Sequence, residues 1–350
     1  MTPILAEYIW IDGTAPSKAL RSKTKVLFSD ELEPSYTYET NDEIPLSAFP
    51  EWGADGSSTQ QAEGDDSDIV LKPVNVVRDP TRAGGFLVLC EVFAGNGEVH
   101  STNTRAALRR VMELGGAAAE PMFGFEQEYT LMRVNGTPAG FPEGGLPGPQ
   151  GPYYCAVGAN NITGREFYED FMAAAIEAQI GVTGFNFEVM PGQAEVQVAG
   201  SNIDAADHIW FARYLLARVG EDHDVVVSFD AKPALGDWNG AGMHVNFSTK
   251  EMRAAGGLGV IERACQLIGA KREEHLAVYG HNYQARLTGA HETCSYKEFR
   301  YGVADRTASI RIPRNVATSG CGYLEDRRPN ANADPYEVAA RLLKTVLELD

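Results

Sequence analysis

The sequence predicts an α+β fold in two parts: a small β-rich unit over residues 1–98 and a larger mixed unit of strands and helices over 99–350. Three observations predict it. The 350 residues exceed the size at which one hydrophobic core keeps growing. The first hundred residues carry strand-like alternation between polar and Gly/Pro-rich segments, and at Ser101 the pattern changes to helical spacing.

In the first part, EYIWIDG, LRSKTKVLF and GGFLVLCEVF read as strands. Between them, Ser29 to Asp68 is acidic and rich in Ser and Gly; its segment EWGADGSSTQQAEGDDSD is expected to be a long functional loop rather than a strand. STNTRAALRRVMELGG opens the second part with capping residues and ends in Gly, as a helix should. GREFYEDFMAAAIEAQIG, IDAADHIWFARYLLARVGED and DPYEVAARLLKTVLELD repeat apolar residues at three- and four-residue spacing and are further helices. FGFEQEYTLM, FNFEVMPGQAEVQV, AGMHVNFS and ASIRIP supply strands for one sheet.

The apolar fraction of 44% and charged fraction of 22% are those of a folded globular protein. A formal charge of −18 offers no broad cationic surface, which argues against nucleic acid or an anionic membrane as the main partner. No uncharged apolar run approaches the ~18 residues of a membrane span, and MTPILAEYIWIDG lacks a signal-peptide pattern, so a cytoplasmic protein is expected. Cys90, Cys155, Cys265, Cys294 and Cys321 are scattered without CxxC pairs and are expected to be reduced thiols. Cys294 lies near His291, but an ordinary small buried residue is the favoured reading there.

The chemistry concentrates in carboxylates. Glu126 and Glu128, two apart on a strand, project from one face. The Pro191-Gly192 turn lets a hairpin return Glu195 beside Glu188, giving four convergent carboxylates, with His244 on a further strand. Glutamates with one imidazole suit a hard divalent ion such as Mg²⁺ or Mn²⁺, and hence phosphoryl chemistry. The competing reading, a solvated strand face, is weakened because each acid sits among Phe, Val, Met and Tyr, where unpaired charge is costly. RLTGAHETCSYKEF has the irregular order of a mobile loop. Arg286, Arg306, Arg311, Arg314, Arg327 and Arg328 gather nearby, either as an anion site or as surface ion pairs.

Over nearly its whole length the chain resembles type II glutamine synthetases. The likeness rests on AEYIWIDG, DGSST, LVLCEVF, FGFEQEYTLM, GPYYCAVG, FEVMPGQ, NGAG, NFSTK, RLTG, HET, ASIRIPR and GYLEDRRPNAN. The resemblance implies a β-grasp-like N-terminal domain (1–98) and a catalytic domain (99–350) whose curved antiparallel sheet forms a funnel, with ATP entering at one end and glutamate at the other. It implies one metal site of Glu128, Glu188 and Glu195 and another of Glu126, His244 and Glu325. Arg306, Arg311 and Tyr323 would hold ATP and transferring phosphate; Asn239, Gly240, Arg286, Arg327 and Tyr154 would hold the amino acid. The implied reaction joins ammonium to glutamate through an acyl phosphate: Asp55, from a neighbouring subunit, is the base, Glu292 covers the intermediate, and Arg306 assists. A homodecamer of two stacked pentameric rings is implied as well.

Departures from the family pattern are Ala54, Ala194 and Ala290 where larger side chains are usual, and Asp305 in place of Asn. Ala194 should face away from Glu195 on a regular strand. Ala54 and Ala290 flank the nucleophile end, so a specialised amide ligase using a larger amine or another acid stays open. A catalytically silent homologue and a guanidine kinase on a related sheet are the rival classes.

Overall fold

A computed structural model describes residues 3–349; Met1, Thr2 and Asp350, the outer ends of the two expected domains, lie outside the described residues. In β1 (Ile4–Ile11) alternate side chains serve two different cores. Tyr8 and Trp10 pack with the residues of the N-terminal part, whereas Ile9 and Ile11 join the main core with the helices of the second part. That is why seven of its eight residues are buried. β2 (Leu20–Leu27) and β5 (Phe86–Ala94) flank β1, the first antiparallel and the second parallel.

The segment expected to be a long loop is more ordered than its composition suggested. Trp52–Asp55 forms a strand, β3, antiparallel to β4 (Asp68–Arg78), and completes a five-stranded sheet in the order β2-β1-β5-β4-β3. What holds this short edge is the Trp52 ring, which meets Tyr8 edge-on at 5.4 Å and lies 3.6 Å beneath the Lys23 ammonium.

The first helix of the second part, α1 (Thr104–Val111), begins where the Asn103 side chain accepts the Ala106 N–H at 3.0 Å. Then come β6 (Met122–Arg133), α2 (Arg165–Glu177), β7 (Val182–Phe187), β8 (Gln193–Ser201), α3 (Asp204–Asp222), β9 (Val225–Ser228) and β10 (Met243–Ser248). The short α4 (Lys250–Arg253), α5 (Leu258–Ala270), α6 (Arg272–Leu276) and α7 (Tyr283–Arg286) precede β11 (Tyr301–Val303) and β12 (Ile310–Ile312). The chain closes with α8 (Arg314–Ser319), β13 (Leu324–Asp326) and α9 (Pro335–Val346).

The eight strands from β6 onward make one sheet in the order β11-β12-β13-β10-β6-β8-β7, with β9 also on β6. Its pairings are antiparallel except β11 with β12. Phe123, Phe125, Tyr129 and Leu131 turn one face of β6 into the main core beneath α3, and Ala194, Val196 and Val198 do the same for β8. Ala194 is thus buried on the core side, as its place in a regular strand predicts. The mixed fold with a largely antiparallel catalytic sheet is the expected one. Among the described residues no helix is long and apolar enough to cross a membrane.

Candidate active site

Strand register decides which side chains meet on the open face of the large sheet. His244 pairs with Glu126 across β10 and β6, Glu128 with Glu195 across β6 and β8, and Asn186 with Glu195 across β7 and β8. The hairpin beyond Phe187 then returns Glu188, whose N–H donates to the Gln193 carbonyl at 2.9 Å. On the other side of β10, Asn246 pairs with Glu325, and Arg311 of β12 pairs with Glu325 again.

Glu128, Glu188 and Glu195 bring one ligand atom each within 4.8 Å of one another, and so do Glu126, Glu195 and His244. Glu195 is common to both groups. Glu325 stands at the edge of the second: its Oε1 lies 3.8 Å from His244 Nδ1, while its oxygens accept from Arg311 at 2.7 Å and Arg327 at 2.5 Å.

Burial, and then the charge of Glu128, pushes the Glu188 carboxyl up to about 8. Burial, followed by Glu126 and Glu128, lifts Glu195 to about 9. Glu126 is half-buried, and its loss of water would raise it, but the hydrogen bond and charge of His244, with Asn246 and Arg327 behind, outweigh that and hold it at about 2. Such a set of oxygens with one imidazole suits a hard divalent cation, and a cation would relieve the repulsion that adds to burial in raising Glu188 and Glu195. The residues therefore fit a divalent metal.

Polar neighbours fix the acids. Gln197 donates to Glu195 at 2.7 Å and to Asn186 Oδ1 at 3.2 Å, and Asn186 donates to Glu188 at 2.9 Å. Gly184 leaves the space for this amide, since a Cβ there would lie 2.2 Å from Gln197 Oε1. Asn246 donates to Glu126 at 2.8 Å. These amides escaped the sequence reading, although Asn186 and Gln197 stand at two-residue spacing from Glu188 and Glu195.

The cleft above these residues has a volume of about 400 Å³. Tyr154, Asn239, Gly240, Arg286, Glu292, Arg306, Arg311 and Arg327 line it with the acids. Arg306 lies 3.3 Å from Glu292, and the Glu292 carbonyl accepts from Arg327 at 3.4 Å. Arg286 is deeply placed: its guanidinium donates to the carbonyls of Arg327, Arg328 and Pro329 and lies 3.0 Å from His244 Nε2. Burial lowers its pKa to about 10.

Four expected residues lie elsewhere. Tyr323 is half-buried beside the core rather than lining the cleft, though the carboxylates of Glu325 and Glu126 act on it. Asp55 is exposed at the end of β3, outside the cleft, where the Ser57 hydroxyl and N–H hold its carboxyl below the usual range. Arg328 does not join the anion site: it is one residue past Arg327, so it points into the core and grips Asp326. Arg314 is exposed on α8 and also outside the cleft. Cys294 is buried, and all five cysteines are free thiols.

Comparison with known proteins agrees with this geometry. The family described as the glutamine synthetase catalytic domain matches residues 101–255. The chain is 51% identical over 344 residues to a glutamine synthetase of Streptomyces viridochromogenes, covering 97% of this chain and 96% of that protein. It is 48% identical over 349 residues to the chloroplastic glutamine synthetase of Chlamydomonas reinhardtii, covering 98% and 90%. In fold it is similar to the glutamine synthetase of Plasmodium falciparum, with a TM-score of 0.75 at 15% identity over 99% of this chain and 72% of that one. It is also similar in fold to ligand-free GmaS, with a TM-score of 0.71 at 19% identity over 98% and 77%.

Proposed function

The chain belongs to the glutamine synthetase family, and from that premise we propose that the cleft on its large sheet joins ammonia to the side-chain carboxylate of glutamate through an acyl phosphate. The enzyme is an ATP-dependent glutamate–ammonia ligase. One observation supports the residue roles most: a cluster of four glutamates, buried or half-buried, faces a rank of arginines across a single polar cleft.

A free carboxylate is a poor electrophile, and transfer of the terminal phosphate of ATP gives it a leaving group. Glu128, Glu188 and Glu195 would hold one divalent ion, and Glu126 and His244 with Glu195 or Glu325 a second. Mg²⁺ or Mn²⁺ suits these donors. Bound there, the ions supply positive charge that screens the polyphosphate.

Arg311, paired with Glu325 on the sheet, and Arg306, at the loop, orient the transferring phosphoryl group, with Tyr323 on the nucleotide side. Asn239, Gly240, Tyr154 and Arg327 surround the amino acid, and Arg286 holds the floor beneath it. Asp55 takes a proton from ammonium. The amine then attacks the acyl carbon, the C–O bond to phosphate breaks, and Glu292 accepts the surplus proton of the adduct. Glu292 over the cleft also keeps water from the intermediate.

Since Asp55 lies outside the cleft of its own chain, this scheme needs a second copy to supply it, and a decamer of two pentameric rings is the assembly we infer. Residues 1–98 and 99–350 act as its two domains, a division supported by the separate sheet and the second apolar cluster of the N-terminal part. The five free thiols suit a cytoplasmic setting.

The acyl phosphate is tested with glutamate carrying ¹⁸O in its side-chain carboxylate. One ¹⁸O must appear in the released phosphate for each glutamine formed. Unlabelled phosphate would rule the intermediate out.

A further inference from the structure

Three loops meet at the mouth of the cleft, and the Gln150 side chain touches the other two. Its Nε2 lies 3.0 Å from Asn239 Oδ1 and 3.0 Å from His291 Nδ1, and its Oε1 accepts the Asn239 N–H at 2.7 Å. A glutamine amide has two N–H donors and one oxygen, so all of its hydrogen-bonding groups are engaged here. One residue further on, Gly151 is fixed to the hairpin that carries Glu188, its N–H donating to the Val189 carbonyl at 3.2 Å.

Two consequences follow for the neighbours. The bond from Gln150 fixes which way the Asn239 amide is turned: Oδ1 accepts from Gln150, and the NH₂ group is left to donate to the cleft Asn239 lines, which suits a carboxylate. His291 accepts at Nδ1, so its hydrogen sits on Nε2, which faces Asp237 Oδ1 at 3.1 Å.

The loop that His291 belongs to needs such a hold. His291 and Glu292 have φ of +52° and +57°, two successive left-handed residues with full side chains. That backbone persists only where its surroundings fix it. The bond to Gln150 fixes it one residue from Glu292.

We propose that Gln150 is a positioning residue that ties the 287–300 loop to Asn239, so that placing Glu292 over the cleft and turning the Asn239 amide toward the substrate carboxylate happen together. It rests on the reading that the cleft binds an amino acid. Gln150 itself need touch no reacting atom.

The test compares wild type with Gln150→Ala, Gln150→Glu, His291→Ala and the Gln150→Ala/His291→Ala double variant. Gln150→Glu keeps the acceptor for the Asn239 N–H but removes both donors. Both Gln150 variants should raise KM for glutamate about tenfold, the size of one or two hydrogen bonds. They should also release phosphate in excess of glutamine, while leaving Mn²⁺ binding unchanged. Adding His291→Ala to Gln150→Ala should cost little more, because the two act through one bond.

Amide hydrogen exchange supplies a readout independent of turnover: residues 287–300 should exchange faster in Gln150→Ala. Unchanged exchange there, an unchanged ratio of phosphate to glutamine, or effects that simply multiply in the double variant would each overturn the proposal. If wild type makes no glutamine, the proposed reaction fails, and exchange still decides whether Gln150 holds the loop.

Discussion

The Arg213 guanidinium donates two hydrogen bonds, at 3.0 and 2.7 Å, to Oε1 of Gln127, the residue between Glu126 and Glu128. Arg213 also donates to the carbonyls of Ala331 and Ala333, and the rings of Trp210 and Phe229 lie within 5.3 Å of it. Burial lowers its pKa to about 10, opposed in part by the charge of Asp334. A buried cation thus stands behind the strand that carries two of the acids. Gln127→Leu removes its main acceptor and should destabilise the fold by about 3 kcal/mol, measured by urea unfolding. It should also weaken Mn²⁺ binding, because both acids lose their common anchor.

Glu195 belongs to both candidate metal groups, whereas Glu188 and Glu126 belong to one each. In calorimetric titration with Mn²⁺, Glu195→Gln should impair both binding events, and Glu188→Gln or Glu126→Gln only one. Gln197→Leu removes the amide that holds Glu195 and should lower affinity by roughly 10–100-fold, as losing an outer partner of a ligand does.

Gly242 donates its N–H to Glu128 Oε2 at 2.5 Å, and a Cβ there would lie 2.2 Å from Arg286 Nη2. Gly242→Ala must therefore push a buried guanidinium off its carbonyl acceptors. It should destabilise the protein by about 2 kcal/mol and raise KM for glutamate, with KM for ATP changed less. Steady-state kinetics in each substrate checks this.

His275 predicts a pH effect on stability. It is buried between Tyr279, 2.6 Å from Nδ1, and Thr345, 2.9 Å from Nε2. Burial first, and then the charge of Arg328, depresses its pKa to about 3; Arg341 and Lys271 add to the depression and Asp326 opposes it. The unfolded chain protonates this group below about 6.5 while the native state keeps it neutral. Stability is therefore lost as pH falls from about 6.5 toward 3, by up to about 1.4 kcal/mol per unit from this residue. Relative to His275→Gln, wild type should show the steeper loss in denaturant unfolding between pH 6 and 5.

Much of the fold and site was legible where periodicity was strict. Alternation in FGFEQEYTLM placed Glu126 and Glu128 on one face, and the same rule with the Pro191-Gly192 turn brought Glu188 and Glu195 together. That rule also separates Arg327 from Arg328, a distinction missed because the arginines were read as a group. β3 was hidden because a four-residue edge strand, WGAD, sits inside an acidic, Ser- and Gly-rich segment with a loop's composition, and its anchors, Tyr8 and Lys23, are distant in sequence. Helix α5 had the signal, with Ile261, Ala264, Cys265 and Ile268 on its buried face, but Gly256 and Gly257 precede it and Gly259 and Gly269 interrupt it. Gln150 had none, since its partners are 89 and 141 residues away.

The central claim is that this cleft makes glutamine. The most direct measurement incubates the purified protein with ATP, Mg²⁺ and glutamate, and supplies ammonium or one of a panel of primary amines. Amide product and phosphate are quantified together. Ammonium should support full turnover, with one glutamine and one phosphate formed for each ATP consumed. Turnover with a larger amine in place of ammonium, or phosphate release without any amide, would contradict it.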